Sequence, residues 1–259
     1  MKWQRADSGL LLPDRELEVP RRLRPLSMAA PQQALLGGGA ASTFANVSLQ
    51  MHMEGGSLVD SSTNAHTLTV SGATQDTGWA YFGSKSLLIS TVGGNQNRVT
   101  AANHAAFDMG TGEFTIRFAL RIATVQTAIL INKASGTGSS PFVVFISTNK
   151  LVFRITNQAS GTVDITSTTT LAANTDYWVC CRRRNDTSNM VTELAINGTI
   201  EATSPTQLLT FDLFDNTGPL VIGNYNSGAT FPLLGRMDEI RIAKMLETVA
   251  VPGSAFADS

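Results

Sequence analysis

The feature that most constrains this chain is a strict alternation of side chains over residues 114–122. Phe114, Ile116, Phe118, Leu120 and Ile122 fall on one side, with Thr115, Arg117 and Arg121 on the other. Neighbouring residues of a strand point to opposite faces, so a period of two held this long argues for a half-buried β-strand. The same pattern sets Leu49, Met51 and Met53 against Ser48, Gln50 and His52. Further strands are expected at 86–90, 128–132, 142–147, 150–156, 162–166, 176–183, 191–196, 220–222 and 237–244.

Turn chemistry separates these runs. It is supplied by Gly93-Gly94, Gly110-Thr111-Gly112, residues 135–140 and Asn185-Asp186. Asn197-Gly198 between Leu194-Ala195-Ile196 and Thr199-Ile200 is a hairpin signal, because a type I′ turn needs positive φ at both central residues. Asn149-Lys150 reads as a second tight turn. No helical pattern and no internal repeat is found. Many short strands divided by turns mean an all-β domain, a sandwich or a barrel.

Charge narrows the partners. Charged residues make up 15 % of the chain and the net charge is −1, which gives no drive toward nucleic acid or an anionic membrane. No run of about 18 apolar residues is present to span a membrane. The adjacent Cys180 and Cys181 point to opposite sides of a strand and are badly placed to bridge each other. They read as free thiols, one of them inside, which fits synthesis in a reducing compartment.

Residues 1–43 are of another kind. Pro13, Pro20, Pro25 and Pro31 alternate with Arg15, Arg21, Arg22 and Arg24, and the segment closes on Gly37-Gly38-Gly39. Proline removes donors and favours extended chain, and the glycines form a flexible joint. Two readings stand: a disordered tail, or an anchoring arm. In the second, Leu10, Leu11, Leu12, Leu17, Val19, Leu23 and Leu26 bury on a neighbouring subunit while the arginines pair with its acidic surface. Leu10-Leu11-Leu12 is stopped by Pro13 and Asp14, too short for a secretory signal core, so no signal peptide is expected. The organisation is then an arm at 1–43, a sandwich at 44–250 and a short tail at 251–259.

Several stretches, in order, resemble the laminin G-like jelly rolls of concanavalin-type topology. They are Val59-Asp60-Ser61-Ser62-Thr63-Asn64-Ala65-His66, Tyr81-Phe82-Gly83-Ser84, Phe107-Asp108-Met109-Gly110-Thr111-Gly112-Glu113-Phe114, Tyr177-Trp178-Val179, Ala195-Ile196-Asn197-Gly198 and Gly235-Arg236-Met237-Asp238-Glu239-Ile240-Arg241-Ile242. Phe118-Ala119 stands where that family often carries tryptophan. The resemblance implies an antiparallel β-sandwich preceded by an extended arm. Versions with the Gly-Thr-Gly-Glu-Phe-Thr-Ile turn and the Asp-Glu-Ile-Arg-Ile strand are similar to domains of tailed-bacteriophage structural proteins. That similarity implies a virion component of capsid or tail, assembled in the host cytoplasm. Its arm would dock on other virion proteins and its sandwich would face outward, as a homo-oligomer that analogy makes a trimer. The alternative is a glycan- or receptor-binding lectin-like module, which can coexist with the first.

The resemblance also frames the candidate sites. Hydrolases of this fold carry acidic residues at alternate positions of one strand, and no such triplet occurs here. Asp238 and Glu239 are neighbours, expected on opposite faces. His52, His66 and His104 come without a nucleophile motif, so no enzyme is expected. Asp60 and Asp238 match positions that are often acidic at calcium rims, with turn-capping and backbone pairing as the structural alternatives. No other cofactor is expected. Trp79, Tyr81, Trp178 and Tyr225 are candidate sugar platforms, against the alternative of core packing. Arg182-Arg183-Arg184 reads as a solvated start of a loop.

Overall fold

The computed structural model describes residues 44–90, 97–133, 140–225 and 231–258. All belong to Gly39–Ser259, the second of two units into which the chain divides. The arm reading, with Leu10, Leu11, Leu12, Arg15, Arg21, Arg22, Leu23 and Arg24, lies outside the described residues.

Sixteen strands run along the described residues. They are β1 (Val47–Met51), β2 (Leu68–Ser71), β3 (Thr74–Asp76), β4 (Ser86–Ile89), β5 (Arg98–Ala101), β6 (Phe114–Ile122), β7 (Ala128–Lys133) and β8 (Phe142–Ser147). After these come β9 (Lys150–Thr156), β10 (Thr162–Thr166), β11 (Asp176–Asp186), β12 (Asn189–Ile196), β13 (Thr199–Thr203), β14 (Gln207–Leu208), β15 (Leu220–Ile222) and β16 (Gly235–Ala243). One sheet runs β13-β12-β11-β6-β16-β4-β3, with β1 added to β16 and β14 to β12. The other runs β10-β9-β8-β7-β15-β5-β2. The pairings of the named strands are antiparallel. The sheets stack face to face as a sandwich, the architecture that alternating strands demand.

The core is what the alternation anticipates. Phe114, Ile116, Phe118 and Leu120 of β6 and Val179 and Cys181 of β11 meet Phe142 and Val144 of β8 and Phe153 and Ile155 of β9. Phe114 packs on Phe142 at 5.9 Å and edge-on to Phe153 at 6.1 Å between ring centroids.

The turns refine the sequence reading. Asn197 and Gly198 have φ of 50° and 83°, the hairpin conformation expected of them. The β8–β9 turn is Thr148-Asn149, one residue earlier than Asn149-Lys150, with φ of 49° and 60°. The β11–β12 turn is Thr187-Ser188, because Asn185 and Asp186 still pair with Met190 and Asn189.

The largest departure is on the outer face of the nine-stranded sheet. The polar sides of β1 and β6 were expected to face water, yet Gln50 is 0 % and Arg117 6 % exposed. The chain after β16 turns back over this face. Glu247 donates its N–H to Thr115 Oγ1, and its carboxylate accepts from Arg117 Nη1 (3.1 Å) and Arg241 Nε (2.8 Å). Cys180 is covered on this side and Cys181 lies in the core, so both thiols are buried, not one.

The three arginines of β11 are likewise engaged rather than solvated. Arg182 and Arg184 both donate to Glu193, while Arg183 runs inward to the carbonyls of Gly110 and Phe211. Burial works against the charge of Glu193, but hydrogen bonds from Arg184 and Arg182 outweigh it and hold the carboxyl below its ordinary range.

Candidate binding cleft

Where β1 ends, Met53 takes a φ of 60° and Gly55 one of 81°, and the chain leaves the sheet as a loop. Asp60 closes the base of that loop. Its Oδ1 accepts from the N–H groups of Gln50 and Ser62, and its Oδ2 from Ser62 Oγ and the N–H of His66. Asn64 Nδ2 donates to Val47 O (2.9 Å), and His66 Nε2 lies 3.0 Å from Ser48 O. The quoted Asp60-to-His66 motif is thus a staple, in which the side chains of Asp60, Ser62, Asn64 and His66 serve backbone groups.

A second loop is held by Asp238. The N–H groups of Tyr81 (2.8 Å) and Phe82 (3.1 Å) donate to its Oδ2. Gly83 then turns with φ of 71°, and a Cβ there would stand 2.4 Å from Glu54 Oε1. Glu54 links the two loops, accepting from Ser84 N–H, Ser84 Oγ and Lys85 N–H. The Ser84 N–H leads the interactions that hold its carboxyl below the usual value.

Between the loops lies a bulge in β16. Met237, Ile240 and Ile242 all enter the core, so Asp238 and Glu239 share one outward position. The two carboxylates therefore turn away from the core together, not to opposite faces. Glu239 reaches this place with φ of 48°, a left-handed conformation that costs a non-glycine residue about 1–2 kcal/mol. Asp238 is fully buried, and burial pushes its carboxyl up to about 7 against three backbone N–H bonds.

The floor is His52. Its Nδ1 lies 2.9 Å from Glu239 Oε1 and its Nε2 2.7 Å from Asp258 Oδ1. The hydrogen bond to Glu239 outweighs burial and raises its pKa, favouring an imidazolium that donates from both nitrogens. The third wall is the C-terminal segment. Phe256 N–H donates to Glu239 Oε2 (2.9 Å), and Gln50 Nε2 donates to Ala257 O (3.0 Å) and Asp258 Oδ1 (2.9 Å).

The cleft has a volume of about 320 Å³ and opens between His52, Glu54, Val59, Phe82, Phe256 and Asp258. Apolar Val59, Phe82 and Phe256 stand around a floor of ionic acceptors and donors. A ligand with one apolar face and a ring of hydroxyls matches this arrangement.

The sequence candidates are distributed as follows. Tyr81 sits behind the cleft, half-buried, with ring centroids 5.0 Å from Phe82, 5.5 Å from Trp178 and 6.4 Å from the half-buried Trp79. Trp178 is fully buried on the outer face, covered by the C-terminal segment rather than by the second sheet. Tyr225 is half-buried after β15 and does not line the cleft. Asp60 and Asp238 serve different loops, their oxygens facing N–H donors. Among the described residues no cluster of three or more His, Cys, Asp or Glu could hold a metal ion. Glu54, Phe256 and Asp258 were not singled out in the sequence, and Phe82 only as part of a fold motif. His52 just past β1, Tyr81 beside Phe82, and the Asp238-Glu239 pair were named in the sequence, though not as parts of one cleft.

The sequence pattern Laminin_G_3, of the Concanavalin A-like lectin/glucanases superfamily, matches residues 93–247. The chain belongs to this superfamily. Of the cleft residues, only Glu239 falls inside the matched span. Among solved structures, the binding domain of Paraclostridial Mosquitocidal Protein 1 is similar, with a TM-score of 0.64 and 16 % identity over 80 % of this chain and 50 % of that one. The botulinum neurotoxin serotype G binding domain gives 0.60 and 16 % over 79 % and 49 %. The receptor binding domain of botulinum neurotoxin D gives 0.59 and 13 % over 80 % and 51 %. The chain spans about half the length of these neighbours. Comparison with curated proteins gives no match.

Proposed function

We propose that the sandwich is a non-catalytic, lectin-like module that binds a glycan of a cell-surface receptor. The observation that carries this reading is the open cleft, where exposed Val59 and half-buried Phe82 stand over the His52, Glu239 and Asp258 cluster. Apolar walls suit the carbon face of a sugar ring, and ionic groups suit its hydroxyls. Membership of a lectin-containing superfamily and likeness to domains named for binding support the same reading.

The test is a glycan array probed with the full chain and with Phe82→Ala. Binding is expected, with affinity lowered about tenfold or more in the variant, the equivalent of ~1.4 kcal/mol of contact. Absence of binding to any glycan, or equal binding by both proteins, would overturn the reading. Release of reducing sugar from a bound glycan would overturn its non-catalytic part. A place on a virion, with docking and oligomerisation through 1–43, rests on the sequence resemblance alone. Co-sedimentation of the chain with purified particles tests that place.

A further inference from the structure

The outer face continues beyond the cleft, beneath the ring of Phe256. Trp178 is buried there, with Tyr81 at 5.5 Å, Phe256 at 5.7 Å and the Arg117 guanidinium at 5.4 Å. The Phe256 ring in turn lies 4.8 Å from the Arg117 guanidinium and 5.2 Å from that of Arg241. Yet Trp178 Nε1–H and Arg117 Nε–H meet no acceptor among the described residues. A buried donor without an acceptor is costly, and the π face of a phenyl ring relieves it only weakly.

The cover itself is lightly attached. Residues 251–258 form no strand or helix, and only Pro252 and Phe256 among them are even half-buried. Among the described residues their hydrogen bonds to the sheet are those of Phe256 N–H to Glu239 and of Gln50 and His52 to Ala257 and Asp258. Glu247, by contrast, is buried and fixed to Thr115, Arg117 and Arg241. The chain can therefore lift beyond Glu247 while the ionic cluster stays in place.

We propose that residues 251–258 are a removable strap, and that the face under Phe256 extends the cleft into a longer site for a neutral oligosaccharide. This rests on the glycan-binding reading of the cleft. Lifting Phe256 uncovers the ring faces of Trp178 and Tyr81, and sugar oxygens accept from the two orphaned donors. The ligand is neutral because Arg117, Arg241 and His52 stand against Glu247, Glu239 and Asp258 on this face, leaving no excess of positive charge for an anion.

The test compares full-length wild type with Phe256→Ala on neutral oligosaccharides of graded length. It is joined by hydrogen exchange at the Phe256 amide of the wild type, with and without the longest glycan bound. The variant is expected to gain about tenfold or more in affinity for long glycans and to lose affinity for monosaccharides, because Phe256 is also a wall of the cleft. The Phe256 amide is expected to exchange faster when the long glycan is bound. Equal affinities at every length, or a Phe256 amide that stays protected in the bound wild type, would overturn the strap while leaving the cleft reading intact. No binding by either protein would overturn both. The exchange measurement uses the wild type alone, so it decides even if the variant fails to fold.

Discussion

At the scale of the residue, chemistry is set by what covers each group. Burial raises the Cys180 thiol to about 12 and the Cys181 thiol well above its ordinary value. A thiol without access or thiolate character is inert. The native chain is expected to leave a thiol reagent unreacted, with both cysteines titrating once guanidinium chloride unfolds it. Rapid labelling of one thiol in the native state would mean that the segment after β16 does not cover Cys180. Gly83 is a second case. An alanine there meets both the φ of 71° and the Glu54 carboxylate. Gly83→Ala should lose about 1–2 kcal/mol in urea unfolding, from the left-handed penalty alone. It should weaken glycan binding as well, because Glu54 must move.

At the scale of the element, the strands were legible and their outer surroundings were not. β8, β9, β10 and β15 begin and end where alternation and turn residues put them. Their information is local: a period of two, bounded by residues that tolerate positive φ. The short β2, β3, β5 and β14 lack the continuous apolar run that marks β15, and their ladders come from their neighbours, β5 for β2, β4 for β3, β15 for β5 and β12 for β14. The bulge at Asp238-Glu239 was illegible for another reason, since only the apolar Ile240 beyond it betrays the extra residue. The cleft was least legible of all, because its walls come from segments far apart in sequence that meet only after the sheet has formed. The Asn197-Gly198 hairpin gives a direct test of local information. Asn197 Oδ1 also accepts from Trp178 N–H at 2.8 Å, so the turn ties β11 to the tip of β12. Asn197→Ala should cost about 2–3 kcal/mol, from the lost bond and the left-handed alanine together. Urea midpoints of the two proteins check this, and an unchanged midpoint would show that the tip is not part of the cooperative unit.

At the scale of the whole molecule, the buried charges of the outer face combine into one dependence of stability on pH. Asp238 binds its proton more tightly folded, at about 7, than unfolded, at 3.8. The native state therefore holds more protons between these values, and stability falls as pH rises through that window. A carboxyl displaced this far lowers stability by about 4 kcal/mol once both states are ionised. His52 acts in the same sense. Its imidazolium faces Glu239 from β16 and Asp258 from the C-terminal segment, beside Gln50 of β1. Its raised pKa gives a contribution that is complete below 6.5 and lost as pH climbs through the folded value. The acid limb has the opposite origin. Glu193 and Glu201 are held below 4.5, so their contribution is present above that value and disappears as pH falls through their folded pKa. Thermal stability should accordingly peak on the acid side of neutrality and decline as pH rises through these transitions. Asp238→Asn should flatten the decline between pH 4 and 7, and His52→Gln the part above 6.5, each measured by melting across buffers of equal ionic strength. An alkaline decline that survives both substitutions would place its source elsewhere than the floor of the cleft.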